Sequence, residues 1–339
     1  MKLSVGIHEF FDCYLPHLKG VSDCTIKTYR DTFTLFLPFA AGYYKKPIDS
    51  LAMEELSFEL ILSFLSHLEQ KRHNIPRTRN LRLAALKSFA KMIRLKYPQY
   101  RELSETILHI PPKRAQKNLI GFLTQEEILK VFKSVNMKNK DGFRDYTLLH
   151  TLFDTGARAS EIAAVNLDYF DVQNKTLIIL GKGNTYRQIP LSLKTAELLD
   201  QYINHFRRSP KPLYRQRLFI NQRGEEFTRY GIYRLCKKYL SKVLPPKRLA
   251  LLNAAHSFRH GCAVSRLYSG ESLTDIKNRL GHERLQSTMT YLKLDLSHKR
   301  EVQKRLIEHT QSHLKFDPKL EEALDWENSE KTLAWLDSL

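Results

Sequence analysis

Apolar residues recur three and four positions apart from the start of the chain: Ile7, Phe10, Phe11, Tyr14, Leu15 and Leu18, then Tyr29, Phe33, Phe36 and Phe39. That spacing places them on one face of a helix, and no alternating strand pattern interrupts it before about residue 105. Ser22 or Asp23 is placed to cap the second helix, Pro47 and Asp49 mark a break, and a third helix is expected from about Phe58 to Gln70. A fourth, from about Thr78 to Leu95, sets a stripe of Leu81, Ala85, Phe89, Met92 and Ile93 against Arg79, Arg82, Lys87, Lys91 and Arg94. One face is core and the other is cationic.

The pattern stops at IPPKRAQKN, Ile110 to Asn118, where two adjacent prolines end helical structure and the basic residues discourage burial. The expected organisation is a helical N-terminal domain over 1–109, a linker over 110–118, a second domain over 119–299 and a helical tail over 300–339. Thr124 is placed as a cap with Glu127 as its partner three residues on. Helices are expected near 124–135 and 141–155, and another from Ser160. The clear strands are Thr176 to Leu180 and Arg187 to Leu191; they flank GKGNTY and so predict a β-hairpin with Lys182 near its tip. Helices fill most of the remainder, broken at Pro210, Pro212, Pro245 and Pro246. The fold class is therefore mainly α with a small β-hairpin or sheet (α+β). A length of 339 residues agrees with two cores, because single cores stop growing at roughly 250 to 300 residues.

Charge changes the picture. The chain has 55 Lys plus Arg against 36 Asp plus Glu, a net +19 and a pI near 9.7, which points to a polyanionic partner, nucleic acid before membrane because the charge is spread. The tail from 316 to 339 reverses the sign: Asp317, Glu321, Glu322, Asp325, Glu327, Glu330 and Asp337 outnumber Lys319 and Lys331. Such a tail suits protein and not DNA. Its apolar positions, from Val302 and Leu306 to Trp335 and Leu336, have helical spacing. Cys13, Cys24, Cys236 and Cys262 show no paired spacing, so no disulfide framework or zinc module is expected. Without an apolar leader or long apolar run, a cytoplasmic protein is expected, not a membrane one.

Five short motifs stand in order: TGARASE at Thr155 to Glu161, GKG at Gly181 to Gly183, HSFRH at His256 to His260, LGH at Leu280 to His282, and Tyr291, nine residues past that histidine. Their order and spacing resemble the tyrosine recombinases, or phage-type integrases, including the bacterial Xer-type enzymes. The likeness spans about 120 to 295, and the helical N-terminal half resembles the family's core-binding domain more loosely. The resemblance implies an enzyme that cuts and rejoins DNA through a covalent 3′-phosphotyrosine and a Holliday junction, without metal, cofactor or ATP. It implies a double-stranded recombination site as substrate and a homo-tetramer on two duplexes, or a mixed one with a paralogous recombinase. The acidic tail would dock on a neighbouring protomer.

The implied roles make chemical sense. Arg158 and Arg259 offer planar forks to the oxygens of a charged phosphorane. Tyr291 is the nucleophile, and a phenol needs help to lose its proton at neutral pH. His256 and His282 stand as base, phosphate ligand or positioning groups, in an order the residues leave open. Lys182 is the general acid for the departing 5′-oxygen. Glu161 orients Arg158 or caps the local helix, and His260 is expected to support the site from behind. His256 and His260 lie four apart as helical metal ligands can, but no third ligand accompanies them and no metal is expected. Arg79, Arg82, Lys87, Lys91 and Arg94 are the DNA-facing candidates of the N-terminal half. The nearest alternatives are relaxation by a type IB topoisomerase and a non-catalytic DNA-binding protein on the same fold.

Overall fold

Phe10, Phe33, Phe36, Phe64 and Phe89 meet in the first unit, mostly edge-on, with ring centroids 5.2 to 6.3 Å apart. In this computed structural model, residues 1–115 and 121–293 are described, and beyond them positions 303, 304, 306, 307, 333, 334, 337 and 338. The end of the expected linker and nearly all of the tail expected to contact a protomer lie outside the described residues. The chain divides into two compact units, Met1–Asn118 and Leu119–Leu339.

The first unit is helical: α1 (Leu3–Glu9), which runs on in wider turns over Phe10–Leu18, α2 (Asp23–Tyr44), α3 (Phe58–Gln70), α4 (Pro76–Lys96) and α5 (Arg101–His109). Ser57 starts α3 by accepting from the Leu60 amide at 3.1 Å. On α4 the buried row is Leu83, Leu86, Ala90 and Ile93. Leu81, expected in the stripe, is 54% exposed. Arg79 sits four residues before Leu83 on the inner row and is itself buried.

The second unit opens with α6 (Gln125–Lys133), whose cap is reciprocal: Thr124 Oγ1 accepts from the Glu127 amide at 3.2 Å, and Glu127 Oε2 accepts from the Thr124 amide at 2.9 Å. Then come α7 (Lys140–Thr155) and α8 (Ala159–Ala164), with Arg158 as the capping residue of α8. The sheet has three antiparallel strands in chain order, β1 (Phe170–Asp171), β2 (Thr176–Leu180) and β3 (Tyr186–Pro190). A two-residue β1 is too short to show alternation, which is why the sequence pattern predicted a hairpin alone. Leu177 pairs with Ile189 and both are buried. Next are α9 (Leu193–Gln201), α10 (Arg229–Val243), α11 (Pro246–Leu249), α12 (Ala254–Tyr268), α13 (Leu273–Leu280) and α14 (Gln286–Met289). Helix α12 packs against α6, α7, α10 and α13, so it runs through the middle of the unit. Among the described residues, no helix is long and apolar enough to cross a membrane.

Candidate active site

A helix repeats its faces every three to four residues, so His256, Arg259, His260 and Ala263 form one row on α12. Asn253 starts that helix by accepting from the His256 amide at 3.3 Å. Arg259 is 3% exposed. Its Nη1 donates to the Gly156 carbonyl at 2.7 Å and its Nη2 to the Leu280 carbonyl at 2.7 Å. Both carbonyls lie at helix C-termini, of α7 and α13, where the backbone carries partial negative charge. One side chain thus ties TGARASE, HSFRH and LGH together. Burial, with the Arg158 charge adding to it, brings the Arg259 pKa down to about 10, still well above neutrality.

Arg158 stands at the start of α8, partly exposed, and its Nη1 donates to Glu161 Oε1 at 2.6 Å. Glu161 is buried. Its Oε2 accepts from the Arg158 amide at 2.9 Å and from Arg187 Nη2 at 2.6 Å. Burial alone would raise the Glu161 carboxyl, but the bonds from Arg187 and Arg158 hold it below its ordinary value.

Tyr291 lies in a short turn, Thr290–Lys293, and is 1% exposed. Its ring packs with Ala263, Val264, Ile276 and Leu280 in a small cluster apart from the main core. The hydroxyl is 2.9 Å from His260 Nδ1. The His282 ring runs nearly parallel to the phenol, 12° off with centroids 6.4 Å apart, while His282 Nδ1 lies 2.8 Å from Thr288 Oγ1. Burial pushes the Tyr291 phenol up to about 12, offset in part by Arg259 and Arg158. Burial also lowers His256, His260 and His282, with Arg259 lowering each further; His260 and His282 come down to about 4. The three imidazoles are therefore neutral at pH 7.

Tertiary structure thus brings Arg158, Glu161, His256, Arg259, His260, His282 and Tyr291 into one region. Lys182 opens the β2–β3 turn, with Gly183 at φ 72°; its side chain lies outside the described structure. His260, expected behind the site, is the ring that meets the phenol, because the turn carrying Tyr291 packs onto α12 near Ala263, one turn beyond His260 and two beyond His256. A cavity of about 480 Å³ is lined by Arg158, Arg187, Lys277, His282 and Arg284, and one of about 880 Å³ by Arg158, Arg229, Lys237 and His256 with Tyr230 and Tyr233. Both open at Arg158, and the second has no acidic lining. Among the described residues, no three His, Cys, Asp or Glu side chains converge as a metal site would require.

Arg187 is the residue that sequence reasoning passed over. From β3 it donates to Glu161 and, through Nε at 2.9 Å, to the Arg279 carbonyl, beside the Leu280 carbonyl that Arg259 holds. A Cβ on Gly281 would stand 2.9 Å from Arg187 Nη1, so the glycine of LGH makes room for this guanidinium. The signal was an arginine at an inner position of a strand, where a charge needs a buried partner.

The N-terminal candidates divide. Lys87, Lys91 and Arg94 line a cavity of about 540 Å³ with Lys19, Tyr29 and His109. Lys87 Nζ donates to the Leu108 carbonyl at 2.6 Å, and Arg94 pairs with Glu105 at 3.0 Å. Arg82 donates to Thr32 Oγ1 at 3.2 Å. Arg79 is buried, with Nη1 on Asn80 Oδ1 at 3.2 Å and its Nε unpartnered. Arg79 thus lies on the inner row of α4, where Lys87, Lys91 and Arg94 do not.

Residues 121–298 match the sequence profile of the phage integrase family. The chain belongs to that family, the tyrosine-type site-specific recombinases. It is 30% identical over 296 residues to a protein of Sinorhizobium fredii named as an integrase/recombinase, y4rC, covering 86% of this chain and 88% of that one. To the tyrosine recombinase XerC of Chlamydia muridarum it is 30% identical over 310 residues, covering 88% and 96%. In structure the recombinase resembles XerH site-specific recombinase, solved on its palindromic difH substrate after cleavage, with a TM-score of 0.64, 22% identity and coverage of 82% and 78%. The mainly helical fold with its small antiparallel sheet is the fold of that neighbour.

Proposed function

We propose that this recombinase cuts and rejoins two DNA duplexes at a specific site through a covalent 3′-phosphotyrosine on Tyr291. The observation that carries the reading is a buried tyrosine hydroxyl, hydrogen bonded to a neutral histidine, in a region that also gathers two arginines and two further histidines. Arg158 and Arg259 bind the non-bridging oxygens of the scissile phosphate, where pre-placed guanidinium groups stabilise charge that grows in the transition state. His282 and His256, both neutral, donate to the same phosphate or hold the phenol in line. Lys182 protonates the departing 5′-oxygen from the hairpin. The arginines carry the developing charge, so the reading calls for neither metal nor ATP, and the phosphotyrosine conserves the energy of the broken bond for religation.

The cation-lined cavities that meet at Arg158 support a duplex path across this face, and the net +19 supports a polyanionic partner. The similar XerH structure carries a difH substrate. By extension, exchange passes through a four-way junction in a tetramer, the N-terminal helical unit closes on DNA with Lys87 and Lys91, and the protein works in the cytoplasm, where DNA is.

The test is covalent capture. A pool of nicked suicide duplexes with randomised arms is incubated with the protein, and covalently bound DNA is recovered and sequenced. The wild type is expected to enrich an inverted-repeat site and to form an adduct that Tyr291→Phe loses while still binding the site in a gel shift. No Tyr291-dependent adduct would sink the reading. Joined products between two duplexes distinguish recombination from relaxation alone.

A further inference from the structure

Resting on the strand-transfer reading above, we propose that His260 takes the proton from Tyr291 during cleavage and returns it during religation. The geometry singles it out. The Tyr291 hydroxyl is 2.9 Å from His260 Nδ1 and is shut away from solvent, the whole residue being 1% exposed, so bulk water is not at hand as acceptor. His282 is turned to Thr288 Oγ1 through its own Nδ1. His256 lies one helical turn away, its ring centroid 6.0 Å from that of His260. Among the described residues, His260 is the hydrogen-bond partner of the phenol.

The groups facing His260 are His256 and Arg259 on α12, His282 after α13, and Tyr291 in its turn. Burial first, then His256, Arg259 and His282, keep its ring neutral. With the remaining proton on Nε2, Nδ1 presents a lone pair to the hydroxyl. In the resting protein the phenol holds its proton, because burial disfavours both the phenolate and the imidazolium. A docked phosphate changes both sides: its negative charge favours an imidazolium nearby, and the two arginines favour the phenolate as it attacks. The nucleophile is thus armed by the phosphate it will attack.

The step balances. The Oη–H bond of Tyr291 breaks as Oη bonds to phosphorus, and the proton moves to Nδ1. The bond from phosphorus to the 5′-oxygen breaks, and that oxygen takes a proton from Lys182. On religation the 5′-hydroxyl gives its proton back to the lysine amine and attacks phosphorus, while the leaving phenolate recovers its proton from His260. No proton is consumed over the cycle.

The probe is the duplex that the wild type captures, made with sulfur in the 5′-bridging position of the scissile phosphate. Such a leaving group needs no proton, which removes Lys182 from the rate. Adduct formation by the wild type is expected to stay level from about pH 6.5 to 9. For His260→Gln it should fall by about 100-fold at pH 7 and rise about tenfold per pH unit, as the fraction of phenol already ionised grows. A fluorinated tyrosine at 291, with its more acidic phenol, should restore much of that loss, and unchanged gel-shift binding shows that the variant is folded. His260→Gln with the wild-type rate and profile would overturn the proposal. So would a loss that neither pH nor fluorotyrosine relieves, which marks a structural role. If the wild type captures no duplex, it is the strand-transfer reading that fails.

Discussion

At the scale of single residues, this site is built from arginines that are already occupied. Arg259 gives one N–H of each terminal nitrogen to a helix-end carbonyl and keeps the other, and Arg158 and Arg187 share one buried carboxylate. The guanidinium groups are thereby fixed before any phosphate arrives, which is how electrostatic stabilisation avoids reorganisation at the moment of reaction. Arg187 is the clearest case, since it touches Glu161 and the α13 terminus while standing one residue pair from the end of the hairpin that carries Lys182. Arg187→Ala is expected to destabilise the protein by about 3 kcal/mol, because Glu161 loses a partner for its buried charge, and to slow adduct formation by about 100-fold through misplacement of Arg158. Arg187→Lys should recover part of the stability and little of the rate, since an ammonium cannot fork between two acceptors. Thermal melting and single-turnover capture would separate the two effects; a variant with wild-type rate would show that Arg187 only holds the fold.

At the scale of elements, two helix ends and one hairpin meet around α12, and glycines permit the meeting. Gly156 ends α7 at φ 62°, and a Cβ there would stand 2.5 Å from Leu280 Cδ2 and 3.1 Å from Cys262 Sγ. Gly183 in the hairpin turn also has a positive φ, 72°, yet a Cβ there would meet nothing within 4 Å. Gly183→Ala is therefore expected to cost only its backbone strain, about 1 kcal/mol, whereas Gly156→Ala should cost several times as much and also slow capture, because the carbonyl held by Arg259 must move. Denaturant midpoints for the two variants would check the ordering, and equal values would refute it. The same elements show what periodicity missed. The capping box at Thr124 and the helix from Phe58 were legible because their signals are local. The two-residue β1 was not, because its pairing is decided by β2.

For the whole molecule, burial of neutral histidines ties stability to pH. His150, His260 and His282 are each lowered from 6.5 to about 4, chiefly by burial, so the folded chain refuses protons that the unfolded chain accepts. Where the unfolded state binds more protons, stability rises with pH. Their contribution is therefore complete above about 6.5 and is lost progressively as pH falls toward 4. The melting temperature should drop between pH 7.5 and 5, and calorimetry should find proton uptake on unfolding at pH 5, with these three histidines contributing close to one proton each. A melting temperature that is flat across this range would contradict the neutral, buried state of these rings.

By itself the sequence determined the helical first half, the hairpin, the family and the identity of Arg158, Lys182, His256, Arg259, His282 and Tyr291 as candidates, because those signals are local spacings. Tertiary structure decided the rest. It set which histidine lies against the phenol, it buried Arg79 on the inner row of α4, and it brought Arg187 from a strand to a carboxylate 26 residues earlier. Periodicity reports the face of an element on which a residue sits. Only packing reports what that face meets, and proton transfer depends on a contact of 2.9 Å between residues 31 positions apart.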